Sequence, residues 1–234
     1  MSDDDPLVVE GRKPAPDALD WAADRITALA RGRLLDVGCG SGRFLAPDAA
    51  GVDIDEARLR AARSRARLLA VADAHVLPFA DATFDTVLAN RMLNDAGRVD
   101  VVLAEIARVL RRDGRAIVLT LASAAPSPLR RIHEEARDSL GARRDRGSDR
   151  LDDANGADRL ARFFSRVERE TYERDWRFDD PAAALDHYAR RYLHRGERDA
   201  RAQAALFERV RERVLGWRGE LWDQERAVLF IARR

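Results

Sequence analysis

The sequence predicts an α/β fold in which helices cover both faces of a largely parallel sheet. From residue 34 onward, short apolar runs alternate with amphipathic helical stretches, and a glycine-rich loop follows the first of these runs. Repeated succession of strand, helix and strand predicts parallel pairing through right-handed crossover connections. A chain of 234 residues with 46% hydrophobic residues is long enough for one such domain with additions.

Seven segments are predicted as strands of one doubly wound, Rossmann-like sheet. Most are short apolar runs of the kind that a parallel sheet buries on both faces, and one alternates apolar and polar residues. The strands are predicted at residues 34–37, 51–54, 69–72, 86–89, 116–121, 163–174 and 227–232.

The helices are predicted from apolar periodicity and from the residues that begin and end them. Pro16 and Asp17 begin a first helix that Gly32 ends, since proline and aspartate favour the first positions of a helix and glycine its end. Two further helices are predicted near residues 56–67 and 98–111 from their helical spacing of apolar side chains.

We expect a mobile tail at residues 1–15, followed by one domain over residues 16–234, because the tail is acidic and interrupted by proline and glycine. The strand and helix alternation of the core occupies residues 33–122. Residues 123–162 and 175–226 are expected to cap the ligand side of that core. The second of these is a helical cap inserted before the last strand, where a minimal fold would need only a hairpin.

Composition excludes several classes of function. The 42 basic and 41 acidic residues leave a net charge of +1, so neither a nucleic acid nor a membrane surface is an expected partner. One cysteine and four histidines predict neither an internal disulfide nor a metal site. The sequence contains no long apolar run and opens with acidic residues, which favours a cytoplasmic location without a signal peptide.

The segment GCGSG, residues 38–42, follows directly on the first predicted strand. Open α/β sheets bind ligands at the carboxyl ends of their strands, and Gly38 and Gly40 would let a ligand approach the backbone closely. A dinucleotide-binding fingerprint would need glycine where Arg43 stands, and a P-loop would need a Gly-Lys pair that the chain does not contain. Cys39 is interpreted as a small residue of this loop rather than as a nucleophile.

Carboxylates follow the next two predicted strands. Asp53 ends the second strand, where a carboxylate can accept hydrogen bonds from both hydroxyls of a ribose. Asp73 follows the third strand and could accept the exocyclic amine of an adenine, whose ring would lie between Ile54 and Ala74. Asp55 is better interpreted as the N-cap of the helix that begins at residue 56.

Four successive segments together resemble the motifs of class I S-adenosylmethionine (SAM)-dependent methyltransferases, and within them the small-molecule, UbiE-like group (methyltransferase type 11). The segments are LLDVGCGSGRF, GVDIDEARL, ADAHVLPFADATFDTVLAN and LAEIARVLRRDGRAIV, and they extend over residues 33–121. Their order and spacing make the resemblance specific. It implies a SAM-binding core and SAM as the cofactor.

At the methionine end of SAM, the resemblance implies contacts from the first and fourth strands. Asp36, Gly38 and Gly40 would surround the amino acid part of the cofactor, in the loop that also contains Cys39. Asn90, which ends the fourth strand, would lie near the methionine moiety.

At the nucleoside end, the resemblance implies that Asp53 holds the ribose, with Ile54 beside it. Asp73 and Ala74 would meet the adenine. His75 either touches the edge of the adenine or makes no contact with it; the sequence leaves both open.

Two departures from the family pattern concern the glycine loop and the acceptor side. Only eight residues separate Gly42 from Gly51, so the first helix has room for about two turns or fewer. Asn94 and Asp95 stand where relatives often carry a His-His or similar pair, which leaves the identity of a catalytic base open.

The candidates for a catalytic base are Asp95, His187 and His194. Asp95 is alternatively the cap of the helix near residue 98. His187 and His194 are expected on one face of a helix in the predicted cap. The alternative is that this face is simply solvated. His133 is expected to be exposed.

The sequence thus predicts a SAM-dependent methyltransferase that transfers a methyl group to the oxygen or nitrogen of a small-molecule acceptor by in-line displacement. An RNA or protein methyltransferase and a non-catalytic SAM- or S-adenosylhomocysteine (SAH)-binding protein are the alternatives. The sequence makes no prediction about the acceptor's identity or the oligomeric state.

Overall fold

The structure, a computed structural model, describes residues 17–66, 68–121, 127–141, 149–193 and 200–234. These residues form one seven-stranded sheet with helices packed on it. The strands are β1 Leu34–Val37, β2 Ala50–Asp53, β3 Leu68–Val71, β4 Phe84–Asn90, β5 Leu110–Leu121, β6 Arg166–Phe178 and β7 Leu221–Arg233. The helices are α1 Ala18–Leu29, α2 Glu56–Ala62, α3 Val99–Val109, α4 Pro128–Ser139, α5 Gly156–Leu160, α6 Pro181–Tyr192 and α7 Ala200–Leu215.

The sheet has the strand order β3-β2-β1-β4-β5-β7-β6, which confirms the predicted doubly wound α/β fold. Strands β1 to β5 pair in parallel, and β7 runs antiparallel to both β5 and β6. The chain reverses its direction of winding between β1 and β4, and this switch point is where open α/β sheets bind ligands. The predicted sites at the ends of β1 to β4 therefore lie at one edge of the sheet.

Apolar side chains cover both faces of the sheet. On one face, α3 buries Val102, Leu103 and Ile106 against the central strands. On the other, α1 buries Ala22 and Ile26 against β5 and β7. The apolar residues of each helix follow the helical period, so each helix presents one apolar face to the sheet.

Between β1 and β2 the structure differs from the expected short helix. Residues 38–49, all of them described, form turns and irregular backbone. A helix that must form within so short a connection would have too few backbone hydrogen bonds to offset its nucleation. This edge of the sheet therefore has no helix N-terminus between β1 and β2, and the loop N–H groups of Gly38, Cys39 and Gly40 bond instead to Val52 and Asp53 of β2.

Strands β5 and β7 are longer than the sequence predicts, and β6 is displaced by three to four residues toward the C-terminus from its predicted range. β7 begins at Leu221 and pairs with β6 along its whole length, whereas its pairing with β5 ends at Leu121 opposite Ala227. The first part of β7 and the last part of β6 therefore continue as a two-stranded ribbon beyond the carboxyl edge of the parallel strands. The first part of β7 carries four consecutive polar residues, Asp223 to Arg226, which hid it from a search for apolar runs.

Helices α4, α6 and α7 pack together on this ribbon. Their buried residues, among them Ile132, Tyr188 and Val210, form a third apolar cluster with Leu221 of β7. The predicted helical insertion before the last strand is therefore present. The predicted tail at residues 1–15 lies outside the described residues. No helix in the described part of the chain is both long and apolar enough to cross a bilayer.

Candidate functional site

A cavity of about 690 Å³ opens at the carboxyl edge of β1 to β4, a volume typical of small-molecule sites. The structure brings all of the residues that the sequence predicts as cofactor ligands to its walls. They are Asp36, Gly38, Cys39, Gly40, Asp53, Ile54, Asp73, Ala74 and Asn90.

The glycine loop requires glycine at Gly38 for two reasons. Its φ is +68°, and a Cβ built on it would lie 2.7 Å from the Cβ of Met92. Gly38 and Cys39 both donate their N–H groups to the carbonyl of Val52, at 2.8 and 3.0 Å, so the loop is tied to β2. Gly40 also has a positive φ, +56°, but the space beside it is open. Gly40 is thus positioned to leave room in the cavity.

Asp53 organises the loop with its carboxylate. Its Oδ2 accepts the N–H of Gly40 at 2.8 Å, and its Oδ1 accepts the N–H of Asp55 at 2.9 Å. Each carboxylate oxygen has a further lone pair, so both can still accept a hydroxyl donor from the cavity. Asp55 itself caps α2, as predicted, by accepting the N–H groups of Ala57 and Arg58.

Asp36 and Asn90 carry the unsatisfied polar atoms of the cavity. Both oxygens of Asp36 and both polar atoms of the Asn90 amide are buried without a hydrogen-bond partner. Burial, together with the nearby carboxylate of Asp53, raises the pKa of Asp36 to about 8. Unpaired buried groups of this kind are costly, and a ligand with an ammonium group and a carboxylate would satisfy them.

Asp73 and Ile54 lie at the outer part of the cavity. Oδ1 of Asp73 accepts the backbone N–H of His75 at 2.9 Å and contacts Nδ1 of its ring at 2.6 Å. These hydrogen bonds hold the pKa of Asp73 below its usual range. The Ile54 side chain is 73% exposed, although it is large and apolar. An aromatic ring seated between Ile54 and Ala74 would cover it.

Cys39 does not have the environment of a nucleophile. Burial, reinforced by the carboxylates of Asp36 and Asp53, raises the pKa of its thiol to about 12. The thiolate would therefore be a minor species at neutral pH. A Cβ on Gly51 would lie 2.9 Å from the Cys39 sulfur, so the side chain fills the space between β1 and β2, in agreement with its interpretation as a small loop residue.

Asp95 is the predicted base candidate that the structure places at the cavity. The alternative interpretation, that it caps the helix near residue 98, is wrong. The first N–H of α3, that of Val99, is accepted by Asp149 Oδ2 at 3.0 Å, and Asp149 is remote in sequence. The neighbouring Asn94 is structural, because its amide donates to the carbonyl of Leu151.

His187 does not line this cavity. Its Nε2 lies 3.0 Å from Oδ2 of the fully buried Asp223, and its ring packs between Trp176 and Phe178. It is therefore neither at the cofactor cavity nor on a solvated helix face. His194 lies outside the described residues.

His133 was expected to be exposed, and the structure corrects this. It is half-buried, with Nδ1 2.8 Å from the hydroxyl of Tyr188 and its ring 4.8 Å from that of Tyr192. The charged neighbours in sequence suggested solvent, but α4 turns this one side chain toward α6.

Further residues line the cavity without having been predicted: Leu19, Ser41, Arg43, Phe44, Val52, Arg58, Ala72, Met92 and Ala96, together with His75, whose contact was left open. Arg91 also lines it, directly after β4, with a left-handed backbone at φ +58°. Its position behind Asn90 was a signal that could have found it. No signal in the sequence marked Leu19, since its helix has the pattern of an ordinary amphipathic helix.

Among the described residues, no group of three or more acidic, histidine or cysteine side chains could hold a metal ion.

Comparison with known proteins gives partial matches. Residues 35–118 match a family model described as a methyltransferase domain. The chain is 41% identical over 126 residues to the ubiquinone/menaquinone biosynthesis C-methyltransferase UbiE of Dinoroseobacter shibae, covering 47% of this chain and 48% of that one. It is 33% identical over 111 residues to the malonyl-[acyl-carrier protein] O-methyltransferase of Methylococcus capsulatus, covering 42% and 40%. The chain thus spans about half the length, or less, of these curated relatives.

Among solved structures, the fold is similar to the crystal structure of the MccD protein. The TM-score is 0.61 at 18% identity, and the match covers 92% of this chain and 97% of that one. The shared fold extends over nearly the whole chain, whereas the family-model match covers residues 35–118, which supply most of the cavity lining. These matches confirm the resemblance that the sequence motifs carry, and with it SAM as the cofactor.

Proposed function

We propose that this chain, whose residues 35–118 match a methyltransferase-domain family model, is a class I SAM-dependent methyltransferase that transfers the methyl group of SAM to a small-molecule acceptor. When bound, SAM supplies an electrophilic sulfonium methyl, so transfer to an oxygen or nitrogen nucleophile is an in-line displacement. The chain's own residues then have to bind and orient the cofactor and the acceptor and to exclude water, rather than generate a reactive group.

The observation that carries the proposal is the pair of unsatisfied side chains, Asp36 and Asn90, inside the cavity. Asp36 would balance the ammonium of the cofactor's amino acid part, and Asn90 would pair with the methionine moiety. Asp53 would hold the ribose with its remaining lone pairs. Asp73 would accept the adenine amine beside the apolar Ile54.

Cofactor binding is tested by calorimetry with SAH and with SAM. We expect wild-type protein to bind both, and Asp36→Asn to bind both more weakly. Val101→Ser is a matched control because Val101 is a partly exposed residue of α3 that does not line the cavity. Absence of binding to the wild type would overturn the cofactor assignment.

For the acceptor, we propose that residues 123–162 and 175–226 enclose it on the ribbon side of the cavity. Packing of α4, α6 and α7 beyond the carboxyl edge of the sheet supports this. None of the described residues of these segments lines the cavity itself, so the acceptor would lie between cavity and cap. The candidate base there is Asp95, which is exposed at the cavity.

The two relatives are named as a C-methyltransferase and an O-methyltransferase, so an acceptor screen has to include carbon as well as oxygen and nitrogen nucleophiles. Mass spectrometry would detect a product heavier by one methylene and the formation of SAH. A methylated small molecule supports the proposal. SAH binding without any product would instead favour a non-catalytic SAM- or SAH-binding protein.

An RNA or protein methyltransferase is the remaining alternative, and charge argues against the RNA case. The half of the chain after residue 122 carries an excess of only three positive charges, whereas RNA binding needs a concentrated basic surface. RNA affinity that falls steeply with salt would contradict the small-molecule proposal. We also propose a cytoplasmic location, which the single cysteine of the sequence supports.

A further inference from the structure

A buried charged cluster joins the cap to the N-terminus of α1, and its members lie on β7 and α6. Glu225 is 3% exposed, and its Oε1 lies 2.9 Å from Nη1 of Arg191. Nε of Arg191 lies 3.3 Å from Oδ2 of Asp223. The other oxygen of Asp223, Oδ1, accepts the hydroxyl of Ser127 at 2.7 Å. The cluster therefore fixes α6 on the ribbon formed by β6 and β7.

The other oxygen of Glu225 reaches α1. Oε2 accepts the N–H of Ala18 at 3.2 Å, and Ala18 is 2% exposed. The side chain of Asp17 accepts the next two N–H groups of this first turn, those of Leu19 and Asp20. Glu225 thus accepts the buried N–H of Ala18, which the Asp17 side chain does not accept. Its negative charge also lies at the positive end of the α1 helix dipole.

The first turn of α1 is also a wall of the cofactor cavity. Leu19 lines the cavity. Oδ1 of Asp20, the next residue, lies 3.0 Å from Nη2 of Arg43. Arg43 directly follows the glycine loop and lines the same cavity. A displacement of this turn would therefore move both an apolar wall and a contact of the glycine loop.

We propose that Glu225 is a positioning residue for the cofactor cavity and links it to the cap. It holds the first turn of α1, and with it Leu19, against the cavity, and through Arg191 this position depends on α6. Cofactor binding and the order of the cap are then thermodynamically coupled, and the coupling is reciprocal. This inference rests on the proposed function, since it takes SAM as the ligand of the cavity.

A second ion pair between α1 and the sheet supplies a matched control. Arg25 donates to both oxygens of Glu170 on β6, at 2.6 and 2.7 Å. Arg25 lies about 10 Å along the helix from Ala18, at 1.5 Å per residue, and neither partner lines the cavity. Loss of this pair weakens the attachment of α1 without touching its first turn.

The experiment compares Glu225→Gln with Glu170→Gln by SAH calorimetry and thermal unfolding. We expect Glu225→Gln to weaken SAH binding about tenfold, within the usual range of coupling between sites. Glu170→Gln should lower the melting temperature while leaving SAH affinity within about twofold. Equal SAH affinity of the two folded variants would overturn the proposal.

Hydrogen exchange on the wild type tests the same link without a substitution. Addition of SAH should slow amide exchange in the first turn of α1 and in α6, and in Glu225→Gln the effect on α6 should disappear. If SAH binds to the wild type and leaves exchange in α6 unchanged, Glu225 has no linking role. If SAH does not bind to the wild type, the proposed function fails instead, so the two failures are distinguishable.

Discussion

The carboxylate of Asp53 and the backbone N–H of Gly40 form a hydrogen bond of 2.8 Å, which ties the end of β2 to the glycine loop after β1. The same carboxylate faces the cavity. One side chain therefore both shapes the loop and offers its remaining lone pairs to a ligand. Substitutions at this position should reveal both roles.

We expect Asp53→Asn to weaken SAH binding at least tenfold, because an amide nitrogen would face either the Gly40 or the Asp55 N–H, both of which now donate to a carboxylate oxygen. Asp55→Ala is the control, since this side chain caps α2 and does not line the cavity. It should cost about 1 kcal/mol of stability with SAH affinity unchanged. Calorimetry and denaturant unfolding measure the two effects, and equal losses of affinity would contradict the assignment.

The pH dependence of cofactor binding should follow Asp36, whose pKa is raised to about 8. In the unliganded protein this carboxyl is protonated below pH 8, whereas pairing with an ammonium group requires its ionised form. Binding therefore releases a proton, and SAH affinity should rise between pH 6 and pH 8 by up to about tenfold per pH unit. It should level off above pH 8.

Asp36→Asn provides the comparison, because the variant has no proton to release there. The other ionisable groups at the cavity are Cys39, Arg43, Asp53, Arg58, Asp73, His75, Arg91 and Asp95. A wild-type profile as flat as that of Asp36→Asn would mean that Asp36 does not pair with the ligand's cation. Ionisation of the unliganded Asp36 is also penalised by the fold, so unfolding free energy without ligand should fall as pH rises from about 4 to about 8.

The two glycines of the loop should respond differently to alanine. Gly38→Ala meets Met92 and keeps a positive φ, so it should lower the free energy of unfolding by about 1–3 kcal/mol or more. Gly40→Ala has open space for its Cβ and bears only the backbone penalty, but the methyl group enters the cavity. We therefore expect Gly40→Ala to fold and to lose SAH affinity. Retention of full affinity would show that the cofactor does not approach this backbone.

Asp95 and Asp149 separate a chemical role from a structural one at the start of α3. Asp149→Ala should lower the melting temperature, because the Val99 N–H loses its acceptor. Asp95→Asn should leave the melting temperature and SAH affinity unchanged, yet lower kcat with an accepted methyl acceptor if the reaction needs a base. An unchanged kcat would remove Asp95 as the base.

Much of the fold and of the cavity could be predicted from local patterns. The strand at Leu34–Val37 has the predicted bounds, and Asp55 caps α2 as its position suggests. Both depend on residues within one turn or one strand. Strand β7 was predicted too short because its first part carries the consecutive polar residues 223–226 on a ribbon that leaves the core, so no continuous apolar run marks it.

The sequence by itself determined the α/β class and the order of the cofactor-side residues, because parallel strands bring their carboxyl ends to one edge in any such fold. SAM as the cofactor followed from the resemblance of its motifs to those of methyltransferases. Only the tertiary structure decided which polar groups are satisfied. Asp149, fifty residues further along the chain, accepts the first N–H of α3 that Asp95 was a candidate to cap, and His187 meets Asp223 from another element. Such pairings depend on distances between elements that no local pattern encodes. The same distances leave Asp36 buried without a partner, as the group that a cofactor would complete.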